Sequence, residues 1–247
     1  MKTSLSRRAL VLGAGLSYAA AGSSQAAPAP SGKWKVLVTG GHPGDPEYGC
    51  GGTIARFTDL GHEVTILYLN RGEKGCAGKS DDACAQVRTA EAQEACRMLK
   101  ARPRFAALID GEAVVSPATY SSFSQLVKSE APTVILTHWP IDNHRDHRAA
   151  SMLTYDAWRQ IKDRCSLYYY EVSDGEDTMM FSPTDYVDIT ATESRKRTAC
   201  YAHASQSPDR FYALQSEVTQ FRGTQAGFRH AEAFIRHVES PAHVLPG

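Results

Sequence analysis

Apolar positions along the chain fall into short runs separated by longer stretches in which they recur at helical spacing. Trp34-Lys35-Val36-Leu37-Val38-Thr39 is a β-branched run that stops at Gly40-Gly41, which predicts a strand. A helical segment follows from about Gly52 to Leu60 and ends at Gly61, a usual residue just past a helix. Glu63 to Leu69 reads as a second strand. Strand, glycine-rich turn, helix and strand make a βαβ unit, which implies a parallel sheet with helices on its faces. The alternation continues with a helix from about Ala83 to Leu99 before a run at Phe105 to Ile109, and a helix near Tyr120 to Ser129 before Thr133 to Thr137. A helix from about His147 to Ile161 leads into Leu167 to Val172, and Tyr186 to Ile189 reads as a last short strand. Helices are expected near Glu193 to Ala204 and Gln225 to Val238. The pattern predicts one α/β domain over residues 33–247 with a doubly wound, mostly parallel sheet.

Residues 1–26 have a different character. Lys2, Arg7 and Arg8 form a positive start, an apolar run extends from Ala9 to about Ala21, and Ser24-Gln25-Ala26 offers a small-residue cleavage site. This predicts an export signal, and Ser6-Arg7-Arg8-Ala9-Leu10 fits the twin-arginine type, followed by an Ala/Pro linker over 27–32. The apolar run falls short of the roughly 20 residues that span a bilayer, so no stable membrane anchor is expected and the predicted location is the bacterial periplasm. Export makes the cysteines candidates for disulfides. Cys76 and Cys84 bracket a Gly-, Ser- and Asp-rich loop and are the expected pair, while buried free thiols suit the other four.

Composition narrows the partners. Lys plus Arg (27) and Asp plus Glu (27) cancel, so no long-range positive field would gather nucleic acid, and a small neutral molecule is the expected ligand.

The candidate chemistry sits in two clusters that follow predicted strands. The first reads Gly41-His42-Pro43-Gly44-Asp45-Pro46-Glu47-Tyr48-Gly49-Cys50-Gly51-Gly52, and its spacing fits neither GxGxxG nor GxxxxGK[ST]. The second reads Thr137-His138-Trp139-Pro140-Ile141-Asp142-Asn143-His144-Arg145-Asp146-His147-Arg148. Ligands of open α/β sheets bind beyond the carboxyl ends of the strands, where both clusters arrive. Imidazoles combined with a carboxylate suit a divalent metal with an open position for water, the arrangement used in hydrolysis.

These motifs resemble those of the PIG-L/LmbE de-N-acetylases, which carry His-Pro-Asp-Asp after the first strand and His-x-Asp-His later, on a Rossmann-like fold. The resemblance implies His42, Asp45 and His147 as ligands of zinc or another divalent metal. It implies His144 as the group that stabilises the tetrahedral intermediate and protonates the leaving amine, and Asp146 as the carboxylate that orients His144. Shorter similarities extend through Gly51-Gly52-Thr53, Arg71-Gly72-Glu73, Arg88 with Glu91, Tyr201 to Gln206, and Arg222-Gly223 ahead of Ala231 to Phe234. Arg88 matches the helix arginine that contacts substrate, His203 is a further candidate facing the site, and Trp139 and Tyr48 offer stacking faces for a sugar ring.

The expected reaction is removal of an acetyl group from an N-acetylated sugar or glycoside, with zinc-bound water as nucleophile and His144 as acid. One position departs from the family pattern. Gly44 stands where the general-base Asp is found. Glu47 or Asp142 replaces it, or the metal suffices alone. The alternative is a metal-containing carbohydrate-binding protein without turnover.

Overall fold

A computed structural model describes residues 32–172, 177–241 and 245–246. The signal and cleavage site expected over 1–26 lie outside the described residues, as does nearly all of the linker.

The elements run β1 (Lys35–Gly40), α1 (Asp45–Asp59), β2 (Glu63–Tyr68), α2 (Asp81–Leu99), β3 (Arg102–Phe105), α3 (Pro117–Glu130), β4 (Val134–His138), α4 (Arg145–Arg159), β5 (Ser166–Tyr170), β6 (Asp185–Asp188), α5 (Glu193–Tyr201), α6 (Pro208–Ala226) and β7 (Ala231–Arg236). They build one seven-stranded sheet in the order β3-β2-β1-β4-β5-β7-β6. β3 through β5 are mutually parallel, and β7 is antiparallel to both β5 and β6. The predicted doubly wound, mostly parallel α/β sheet is therefore the observed fold.

Side chains on alternate strand positions feed two cores, because successive residues of a strand point to opposite faces. Val36, Val38, Ile66, Tyr68, Val134 and Leu136 pack under Ile54 and Phe57 of α1 and Ala92, Cys96 and Leu99 of α2. Leu37, Leu67, Ile135 and Leu167 pack under Phe123 and Val127 of α3 and Leu153, Ala157 and Trp158 of α4. Both faces of the central strands are covered, so the strands read as apolar runs rather than as alternating ones.

Three elements differ from the sequence reading. The third strand occupies Arg102–Phe105 rather than Phe105 to Ile109. It lies at the sheet edge, where Pro103 can be accommodated. Residues 208–226 form a long helix opened by Pro208. The helix expected near Gln225 to Val238 is replaced by β7 over Ala231–Arg236.

The strand also explains an interruption in α1. Cys50 has non-helical φ −147° and ψ 25°, which breaks the helix at its glycine-rich stretch. Glu232 of β7 reaches across and accepts the freed backbone N–H groups of Gly52 (2.9 Å) and Thr53 (2.7 Å), capping the second half of the helix with a carboxylate. Lys196 of α5, fully buried, donates to the same carboxylate at 2.6 Å.

The expected Cys76–Cys84 disulfide is present, and Cys50, Cys96, Cys165 and Cys200 are buried free thiols. Among the described residues no helix is long and apolar enough to cross a membrane.

Candidate metal centre

The strand order reverses between β1 and β4, and the two His-rich clusters occupy the crevice at their carboxyl ends, where this topology places ligands. The β1–α1 turn brings His42 and Asp45. His138 ends β4, His144 caps α4, and Asp146 and His147 lie in its first turn. A Cβ at residue 41 would lie 3.0 Å from both Asp45 Oδ2 and His147 Cδ2, so any larger residue there would press on the two side chains.

Asp45 Oδ2 is the meeting point. It lies 3.1 Å from His42 Nδ1 and 3.1 Å from His147 Nε2, with His138 Nε2 at 3.4 Å, and it accepts the His42 backbone N–H at 2.8 Å. Asp45 with His138 and His147, and His42 with His144 and His147, each bring their ligand atoms close enough together to hold a divalent cation, so Asp45 and His147 share one such group and His42 and His147 another.

Carboxylates behind the imidazoles fix their orientation, as metal-binding histidines require. Asp142 Oδ1 lies 3.1 Å from His147 Nδ1 and accepts the His144 backbone N–H at 2.7 Å, while Asp142 Oδ2 accepts from the Thr178 hydroxyl. Asp146 Oδ2 lies 3.2 Å from His42 Nε2 and accepts from Asn70 Nδ2 and the Gly111 backbone N–H. Asp110 Oδ1 also lies 3.2 Å from His42 Nε2. Asp146 is thus joined to His42 through its carboxylate, and touches His144 only by donating its backbone N–H to His144 Nδ1 at 3.2 Å.

The protonation states follow from this crowding. Burial alone would push His147 down, but the Asp45 and Asp142 carboxylates outweigh it and hold the imidazole up at about 9. His42 is likewise raised, burial being outweighed by Asp45, Asp110 and Asp146. Burial also disfavours the Asp45 anion, yet the two imidazoles hold its carboxyl well below the usual range. His138 is driven down to about 4 by burial and then by the charge on His147. His144 is lowered by burial and by positive charge on His42 and His147.

The cluster opens into a cleft of about 410 Å³ walled by Tyr48, Lys74, Arg88, Asp110, Asp177, His203 and Phe211. Not every residue singled out from the sequence reaches it. Glu47 is fully buried, with one oxygen accepting the Gly44 N–H (3.1 Å) and the other the Tyr68 hydroxyl. Trp139 packs edge-on against Tyr169 and Phe181 in the α3/α4 core layer, away from the cleft wall. Arg88 lines the cleft but donates to the Pro43 carbonyl at 2.7 Å and the Gly72 carbonyl at 3.4 Å, which pins the His42–Asp45 turn. Glu91, three residues on, accepts from the backbone N–H and hydroxyl of Ser205, both at 2.7 Å. Asp110, Asn70 and the stacking of His138 on His147 (ring centroids 4.2 Å apart) escaped the sequence reading. The one signal for Asp110 was its place at a strand-end Asp-Gly.

Residues 37–158 match the family model described as PIG-L: GlcNAc-PI de-N-acetylase. Diacetylchitobiose deacetylase from Thermococcus kodakarensis is 26% identical over 235 residues, covering 85% of this chain and 88% of that protein. The solved structure of the conserved protein TT1542 from Thermus thermophilus is 28% identical, with a TM-score of 0.71 over 82% of this chain and 94% of that one. N,N'-diacetylchitobiose deacetylase from Pyrococcus horikoshii shares the fold at 24% identity, with a TM-score of 0.73 over 83% of this chain and 84% of that one. The strand order, the histidine and aspartate turns at the reversal point and these likenesses agree, and residues 37–158 form a PIG-L family domain.

Proposed function

We propose that the chain is a metal-dependent hydrolase that removes the acetyl group from an N-acetylated sugar or glycoside of the N-acetylglucosaminide type. The observation that carries this reading is the convergence of His42 Nδ1 and His147 Nε2 on Asp45 Oδ2, each at 3.1 Å, beside His144. Held by these three residues, zinc or another divalent ion would supply Lewis acidity, polarising an acyl carbonyl and making water easier to deprotonate.

The chain's own groups do the rest. Asp142 and Asp146 keep the His147 and His42 rings aimed. His144, made more acidic by burial and by the positive charge beside it, donates a proton to the departing amine. Tyr48 and Phe211 offer apolar faces to a pyranose ring, and Lys74 and His203 complete the wall. Arg88 acts on substrate through the turn that it pins. The proposed location is the periplasm, a reading supported by the N-terminal pattern of Arg7-Arg8 and Ser24-Gln25-Ala26 and by the Cys76–Cys84 bridge.

Acetate release from N,N'-diacetylchitobiose and a panel of N-acetylated sugars, using protein with its full zinc complement, tests the reading directly. Turnover dependent on the metal is expected. Sugar binding without acetate from any member of the panel would mean that the chain binds carbohydrate without hydrolysing it.

A second prediction concerns metal uptake. Ligands must be deprotonated to bind, and both His42 and His147 hold protons above the usual imidazole range. Zinc binding at pH 7 should release roughly one to two protons per ion. Affinity should rise with pH at least as far as about 9, the value for His147. Calorimetry in buffers of different ionisation heat measures the release. Buffer-independent heats would contradict it.

A further inference from the structure

His138 closes β4 beside the metal cluster and is fully buried. Its Nε2 accepts the backbone N–H of Gly41 at 3.0 Å. An imidazole nitrogen that accepts carries no proton, so the single proton of the neutral ring is on Nδ1. That N–H is buried and has no partner among the described residues, an arrangement that costs free energy. The fold leaves one nitrogen unpaired and keeps a lone pair on the other, so the lone pair is the part with a use.

Coordination of the metal is one such use, since His138 Nε2 lies 3.4 Å from Asp45 Oδ2 and groups with Asp45 and His147. The ring geometry argues against it. His138 lies face to face with His147, the centroids 4.2 Å apart and the planes 9° from parallel. An imidazole binds a metal through a lone pair in its own plane, at about 2.0–2.1 Å, and lone pairs in two stacked planes do not meet at one ion. The Gly41 N–H also occupies the lone pair already.

His138 touches the framework of both ligand motifs instead. Gly41 immediately precedes His42, and its carbonyl accepts the Asn70 N–H at 3.2 Å. The turn that delivers His42 and Asp45 is thus held at its entry by His138 on one side and by Asn70 on the other. The face of His138 covers His147, whose Nδ1 lies against Asp142 Oδ1 at 3.1 Å. The Tyr170 ring packs 4.9 Å from His138 and donates its hydroxyl to the Thr39 carbonyl at 2.8 Å, a further contact that fixes the imidazole.

We propose that His138 is a positioning residue of the metal centre: its Nε2 lone pair sets the β1–α1 turn and its ring face sets His147, so that Asp45 Oδ2 and His147 Nε2 face one another at 3.1 Å. The inference rests on the reading of Asp45 and His147 as metal ligands. One side chain joins two motifs 97 positions apart.

The test reads metal binding rather than turnover and uses the full chain. His138→Phe keeps a ring against His147 and removes the acceptor. Its zinc affinity, measured by competition with a chelator, should fall by about 10- to 100-fold with one ion still bound at saturation, and the visible absorption of its cobalt(II) form should shift. His138→Gln restores an acceptor oxygen near the place of Nε2 and should recover most of the affinity and the wild-type cobalt spectrum. Long-range nitrogen–proton NMR of the wild type needs no variant: with and without zinc, His138 should show a protonated Nδ1 and a bare Nε2. In wild type loaded with magnetically active cadmium, coupling should reach His147 and not His138.

Wild-type affinity and spectrum in His138→Phe overturn the proposal. So does a His138→Gln variant that binds zinc no better than His138→Phe, and so does a proton found on Nε2. Coupling from cadmium to His138 makes the residue a ligand and overturns it as well. A wild type that binds neither zinc nor cobalt overturns the metal-centre reading underneath, a result visible before any variant is made.

Discussion

Asp45→Asn is expected to abolish stoichiometric metal binding and, with it, acetate release. The substitution keeps the shape of the side chain and removes the only anionic group among the three proposed ligands. Outer-shell partners of a metal typically account for 10- to 100-fold in affinity, so losing a direct anionic donor should cost at least about 100-fold. The fold should tolerate the change better than the site does. Without Asp45 the buried His42 and His147 imidazoles lose one of the carboxylates that raise them but keep Asp110 and Asp146 beside His42 and Asp142 beside His147. Zinc content after dialysis against a chelator, measured beside thermal unfolding, separates the two effects. A variant that retained one tightly held zinc would show that the metal sits on a group without Asp45, namely His42 with Asp110 and Asp146, His42 with His144 and His147, or Asp142 with His147 and Asp177.

Lys196→Met should have the largest effect on stability. The Lys196 ammonium and the Glu232 carboxylate are both essentially inaccessible to solvent, and Glu232 also caps the broken helix α1 at Gly52 and Thr53. Methionine fills the space of the lysine stem but leaves a buried carboxylate with no counter-ion, a situation that costs about 3–5 kcal/mol. The double variant Lys196→Met/Glu232→Gln should recover part of that loss, because a neutral amide oxygen can still accept one of the two backbone N–H groups. Urea unfolding of the metal-free proteins gives the comparison. A single-variant loss below about 1 kcal/mol, the scale of a solvent-exposed pair, would show that water or a proton already compensates Glu232.

The same pair marks where the sequence was hard to read. β1 and β4 were legible because strands covered on both faces carry uninterrupted apolar side chains, and Val36 to Val38 and Val134 to Leu136 do. β7 was not. Ala231–Arg236 holds a glutamate in its middle, and burial of Glu232 makes sense only beside Lys196, which lies 36 positions away in another element. The helix over 208–226 was missed because its buried positions, Tyr212, Gln215, Thr219 and Gly223, share one face at helical spacing but include two polar residues and a glycine, so it presents no apolar stripe for a periodicity to reveal.

Legibility of the site divided in a similar way. His42, Asp45, His144 and His147 could be found because each follows a strand end in a dense motif. The parts played by their neighbours depend on contacts between distant segments. Asp146 lies next to His147 in sequence but turns its carboxylate to His42, 104 positions away, and Asp110 reaches His42 from beyond the third strand. Glu47, two residues from Asp45, has its carboxylate turned inward to Tyr68. Spacing along a chain gives proximity, whereas the direction of a side chain is decided by what the fold packs against it.

The Cys76–Cys84 bridge joins a rim segment that carries Lys74 and Gly75 to the first turn of α2, one turn ahead of Arg88. Arg88 in turn holds the Pro43 carbonyl, so a covalent link at the mouth of the cleft is only two steps from the metal ligands. A thiol-rich medium would loosen the rim without touching any group proposed to take part in the chemistry. The shape offered to a sugar is in that sense conditional on surroundings, and material handled with strong reductant would be a softer receptor than the oxidised protein.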